Sequence, residues 1–86
     1  MKTRVYIIDD HPLVRRGLSA LISAEPDLEV CGQNEDPSAG VQEIIRLQPD
    51  VVTIDISLNG TSGLELIKRI RAVNARIQMV VLSMHH

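Results

Sequence analysis

Four short apolar runs alternate along this chain with three amphipathic stretches, and prolines, glycines or polar clusters mark the boundaries. That alternation limits the fold more than any other feature. The first run, Arg4–Asp10, carries Val5, Tyr6, Ile7 and Ile8 without interruption, as a strand covered on both faces does. Pro12 stands where a proline opens a helix, and Leu13, Val14, Leu18, Leu21 and Ile22 then recur at helical spacing until Pro26. Leu28–Gly32 reads as a second strand. Asp36 and Pro37 open a second helix with Val41, Ile44, Ile45 and Gln48 on one stripe, stopped by Pro49. Asp50–Ile56 is a third strand, "SLNGTSG" a loop, and Leu64, Ile67 and Ile70 mark a third helix to about Val73. Ile77–Met84 is a fourth strand. The order β-α-β-α-β-α-β predicts an α/β fold, a doubly wound parallel sheet with right-handed crossovers.

The chain has 86 residues, enough for one domain spanning 1–86. Tyr6 is its only aromatic residue, so the core must be built from aliphatic side chains. A net charge of −2 with both signs interspersed excludes non-specific nucleic-acid binding by this segment. No signal peptide or membrane-length apolar run is present, and a cytoplasmic location without membrane contact is expected. Cys31 stands alone, which excludes a disulfide framework and a four-ligand zinc site. It reads as a reduced, buried core residue.

In a parallel sheet the strand C-termini share one edge, where ligands bind. The first strand brings Asp9 and Asp10 to that edge, the third Asp55 and the fourth Ser83. The second offers only Asn34, Glu35 and Asp36. One acid at a strand end is ordinarily a turn or cap residue. Three acids converging from strands distant in sequence repel one another unless a cation lies between them. Hard oxygen ligands of this kind suit Mg²⁺. Asp55 then has the chemistry of a nucleophile towards phosphorus, with the cation and a hydroxyl stabilising phosphoryl oxygens.

These residues resemble the receiver domain of bacterial two-component response regulators. "IIDDHPLVRRGLSALI" resembles the first strand and helix of the LuxR-tailed, nitrate-response-type subfamily. "PDVVTIDISLNGTSGLELIKRIR" resembles the third strand and helix, and "VVLSMH" the fourth strand. The resemblance implies a flavodoxin-like sheet, here in the order 2-1-3-4. It implies that Asp55 is the phosphoacceptor and that Asp10, with Asp9 often through water, holds Mg²⁺ together with Asp55 and the backbone carbonyl of Ser57. Ser83 would be the switch hydroxyl. The partner would be a sensor histidine kinase, and DNA would be bound only by a C-terminal domain outside this chain. A signalling module of this kind is not an enzyme.

Receivers of this family have five strand–helix units, so the chain is expected to be a truncated receiver. It lacks the fifth-strand lysine that contacts the phosphoryl group, and slow or absent phosphoryl uptake at Asp55 is expected. The missing helices leave a sheet face and the fourth-strand edge bare, so self-association into a homo-oligomer is expected through one or the other. Two alternatives compete: a fragment that folds and associates without phosphorylation, and a haloacid-dehalogenase-type phosphatase. The second needs an acid two residues after the nucleophile, where Ser57 stands. His11 lies at the active edge. His85 and His86 read as an exposed tail. Arg15, Arg16, Lys68 and Arg69 read as solvated helix faces, the first pair also as a candidate kinase contact.

Overall fold

The computed structural model describes residues 1–55 and 63–82. Ser57, Ser83, His85, His86 and the loop through Ser62 lie outside the described residues. The elements run β1 (Thr3–Ile8), α1 (Pro12–Ser23), β2 (Leu28–Asn34), α2 (Pro37–Leu47), β3 (Val51–Asp55), α3 (Gly63–Val73) and β4 (Gln78–Leu82). All strand pairs are parallel, in the order β2-β1-β3-β4. The expected α/β, flavodoxin-like order is the one observed. β2 runs two residues beyond its expected end at Gly32.

Register places alternate residues of β1 and β3 on opposite faces. Tyr6, Ile8, Val52 and Ile54 point to the side covered by α2 and α3. There they meet Val41, Ile44, Leu66, Ile70 and Ile77 in one buried cluster. The α3 stripe differs from expectation. Leu66 and Ile70 are buried and Ile67 is partly so, whereas Leu64 is exposed. A Leu one position from the helix start projects past the sheet, and the residue two further on takes its place. On α2, Ile45 is likewise exposed. Gln48 is not part of the stripe. It ends the helix in the left-handed conformation (φ 48°), its side chain donating to the Ile45 carbonyl and accepting from Asn74.

On the other face α1 is the only described helix, and none of its residues is buried. Leu13 and Leu21 are 80% and 70% exposed, against the expectation of a packed stripe. The spacing shows which side of a helix is apolar and not whether enough surface lies beneath it. β4 is an edge strand among the described residues, with Val80 and Val81 nearly half exposed.

Tyr6 and Ile8 explain one glycine each. A β-bulge at Cys31 makes Tyr6 pair with Gly32. A Cβ at Gly32 would stand 2.8 Å from the Tyr6 ring, and one at Gly40 3.1 Å from Ile8. The ring is fully buried, and its hydroxyl donates to the Glu43 carboxylate. Asn34 Nδ2 donates to the same carboxylate at 3.2 Å. Burial and the Glu43 hydrogen bond push the Tyr6 pKa far above its ordinary value. The same bond holds Glu43 below the usual carboxylate range. Cys31 is half-buried against this core rather than fully enclosed.

Candidate functional site: an acidic pocket at the strand ends

β1 and β3 are adjacent in the sheet, so their C-termini bring Asp9 and Asp55 side by side. Both are almost completely buried at 1% exposure, while Asp10 points partly outward. Asp9 is pinned from several sides. Its N–H donates to the Asn34 carbonyl at 3.2 Å, and its own carbonyl accepts from Arg15 Nη1 at 2.7 Å. Its Oδ1 accepts the His11 N–H at 2.8 Å, closing a turn of the kind Asp favours. Pro12 then fixes the first residue of α1, and the Arg15 N–H bonds the His11 carbonyl at 3.0 Å. The Asp-Asp-His-Pro run is thus one compact device. It stops the strand, turns the chain and starts the helix while directing carboxylate oxygens towards one point.

Asp9, Asp10, His11 and Asp55 each present a ligand atom, and these atoms lie within 4.8 Å of one another. His11 Nδ1 is 2.8 Å from Asp9 Oδ1, 3.0 Å from Asp10 Oδ1 and 3.1 Å from Asp55 Oδ2. Its hydrogen bond to Asp9 is the main cause of a raised imidazole pKa. Desolvation opposes that rise, and the charges of Asp10, Asp9 and Asp55 add to it.

The donor set fits a divalent cation on an observation independent of the acid count. Asp9 Oδ2 is buried and has no hydrogen-bond partner among the described residues. An orphaned, buried carboxylate oxygen is costly unless a positive charge reaches it. Hard oxygen donors around one point are the ligand chemistry of Mg²⁺ or Mn²⁺ rather than of a thiophilic metal.

Of the residues the sequence sets at this edge, the structure brings Asp9, Asp10, Asp55 and His11 together. Ser57 and Ser83 are outside the described residues. Two participants were missed. His11 was placed at the edge, but its contact with all three acids was not anticipated, although its position directly after the acid pair was the available signal. Spacing makes Arg15 a solvated helix residue and a candidate kinase contact, yet it holds the Asp9 carbonyl. An arginine one helical turn beyond a strand-end turn is positioned to reach back to it.

No described helix is long and apolar enough to cross a membrane. Residues 5–86 match the response regulator receiver domain family. The transcriptional regulatory protein LiaR of Bacillus subtilis is 41% identical over 80 residues, which are 93% of this chain and 38% of LiaR. A two-component response regulator of the LuxR family from Aurantimonas superposes with a TM-score of 0.91 at 29% identity, over 100% of this chain and 61% of that one. RcsB from Salmonella enterica, solved on promoter rprA with the phosphomimetic BeF₃⁻, superposes at 0.90 with 29% identity over 100% of this chain and 44% of that one. The chain spans about two-fifths of the length of LiaR. With the parallel 2-1-3-4 sheet, the acids at its strand ends and a match over nearly every residue, the chain belongs to the response regulator receiver domain family.

Proposed function

We propose that residues 1–86 form the phosphoacceptor module of a transcriptional response regulator, with Asp55 accepting a phosphoryl group from a sensor histidine kinase. One observation carries this reading: three carboxylates from two adjacent strands converge on a single nitrogen atom, an arrangement that serves a cation and a phosphoryl group better than it serves folding. Asp9, Asp10 and Asp55 would hold Mg²⁺, with the Ser57 carbonyl as a further ligand by resemblance. When bound, that ion supplies charge neutralisation for phosphoryl oxygens. Asp55 Oδ attacks phosphorus, the P–N bond of a phosphohistidine breaks, and the departing imidazole keeps the electron pair and takes up a proton. Arg15 and the His11 N–H hold the Asp9 turn in place while this occurs. Ser83 is assigned the switch hydroxyl by the same resemblance. The phosphorylated state would govern a DNA-binding domain outside these residues, as the promoter-bound RcsB relative illustrates. Neither the phosphatase alternative nor the fragment without phosphorylation is favoured by the family match, which covers residues 5–86.

Incubation with acetyl phosphate and Mg²⁺ tests the reading by intact mass. One added phosphoryl group is expected, lost in Asp55→Asn and on chelation of the metal. Labelling that persists in Asp55→Asn overturns the assignment. The exposed Val80 and Val81 on β4 favour a second reading for the 86-residue chain in solution, self-association along that strand. Sedimentation across a wide concentration range checks it, and a monomer at every concentration counts against it.

A further inference from the structure

We propose that His11 is a tethered occupant of the cation site, which a divalent ion must displace, so that this side chain sets the metal affinity of the receiver. The inference rests on the reading of the acidic pocket as a metal site.

The position of Nδ1 carries the argument. It lies at nearly equal distances, 2.8, 3.0 and 3.1 Å, from one oxygen of each acid. Nδ1 thus engages the same three oxygens that would ligate an ion, at hydrogen-bond lengths well beyond the about 2.0–2.1 Å of a bond to Mg²⁺. Oxygens drawn in to an ion turn away from the ring, so ring and ion compete for them. The ring also fills the site imperfectly. Nδ1 carries one hydrogen for three acceptors, and Asp9 Oδ2 stays buried without a partner among the described residues. An ion that reached that oxygen would gain an interaction the ring does not make.

The exit is open. The His11 side chain is 46% exposed, and among the described residues its ring has no hydrogen-bond partner besides these acids. The backbone contacts do not depend on the ring. The His11 N–H still bonds Asp9 Oδ1, and its carbonyl still accepts from the Arg15 N–H. The turn and the start of α1 therefore keep their shape when the ring swings out. His11 has an extended backbone at the N-cap and makes no side-chain cap, so α1 loses nothing by its departure.

The test is calorimetric titration of Mg²⁺ and Mn²⁺ into the 86-residue chain, its His11→Ala and His11→Ser variants, and Asp10→Ala. Circular dichroism verifies that each is folded. A ring that fills the site in about nine molecules of ten weakens metal binding about tenfold, so both His11 variants should bind about tenfold tighter. In the wild-type chain the imidazole ¹⁵N resonances should move towards those of a free ring as Mg²⁺ is added. Unchanged or weaker binding in folded His11 variants, with wild-type binding lost in Asp10→Ala, overturns the proposal and leaves the metal site standing. Nitrogen hyperfine coupling on bound Mn²⁺ that disappears in His11→Ala also overturns it, because the ring is then a ligand. Absence of binding in both the wild type and the His11 variants overturns the proposal and the metal reading together.

Discussion

The two faces of this sheet are built to different standards. On the α2/α3 side, Tyr6, Ile8, Val52 and Ile54 are fully enclosed by Ile44, Leu66 and Ile70. On the α1 side Val5 and Ile7 are buried, but the helix above them buries none of its own residues. Each helix has an apolar stripe, so amphipathicity alone does not separate them. What differs is whether a neighbouring helix packs beside the stripe. α2 and α3 share a face and pack against each other as well as against the strands, whereas α1 lies alone among the described residues. Stability is therefore concentrated on one side, and the chemistry is set at the sheet edge where α1 begins. A region that carries little of the packing energy can rearrange at lower cost, which suits the ion and phosphoryl group proposed for this site.

The largest test of this contrast pairs two truncations. Ile70→Ala should cost about 2–5 kcal/mol, as buried aliphatic truncations do. Leu13→Ala, on the exposed stripe of α1, should stay within about 0.5 kcal/mol. Urea unfolding of both variants decides the matter, and equal losses would break the comparison.

A smaller effect probes the tightness of the better-packed face. Gly32→Ala forces a methyl against the Tyr6 ring, which is itself held by Glu43. Overpacking of this kind typically costs about 1–3 kcal/mol. Gly17 on α1 has open space around it, so Gly17→Ala should stabilise the chain by up to about 1 kcal/mol through helix propensity. Opposite signs in thermal melts are the expected result.

The helix starts sharpen the comparison further. Asp36 caps α2 by accepting from the Ala39 N–H at 3.0 Å, whereas α1 has no side-chain cap. Asp36→Ala should cost about 1 kcal/mol by equilibrium unfolding. A loss well below that would mean that Pro37 and the tertiary packing fix the helix start without the cap.

The smallest expected effect is on pH dependence. Glu43 is held below the usual carboxylate range, chiefly by the Tyr6 hydroxyl and then by Asn34. A depressed folded-state pKa contributes stability that is present above the unfolded value and lost as pH falls through the folded one. Stability should therefore decline on acidification from the ordinary glutamate range downward, and Glu43→Gln should flatten that part of the curve. An unchanged slope in urea titrations at successive pH values would remove Glu43 from the account.

Much of this was legible beforehand, and the exceptions have physical causes. Uninterrupted runs such as Val5–Ile8 suit a strand covered on both sides, so the element order and the parallel sheet followed from sequence. Asp9, Asp10 and Asp55 could be placed at one edge because parallel strands end together. Burial on α1 and α3 was not legible, since Leu13 and Leu64 have the right spacing and yet are exposed, and spacing does not encode what packs against a helix end. Gln48 was assigned to a stripe because nothing in its chemistry announces a left-handed cap. The part of His11 escaped notice because a contact with three acids depends on side-chain direction, which no spacing rule encodes.

The bulge in β2 has a bearing on how this chain tolerates changes of length. Cys31 is the extra residue, and beyond it Gly32 and Asn34 face α2. Removing that one residue would restore one-to-one pairing with β1 and leave Gly32 opposite Tyr6 and Asn34 beside Glu43. Removing a second would exchange inside for outside from that point on, setting Gln33 where Gly32 now lies beneath the tyrosine ring and turning Asn34 away from Glu43. Parity thus constrains this segment more than length does. A one-residue gap among relatives should accordingly fall at Cys31, where it costs a bulge and no face.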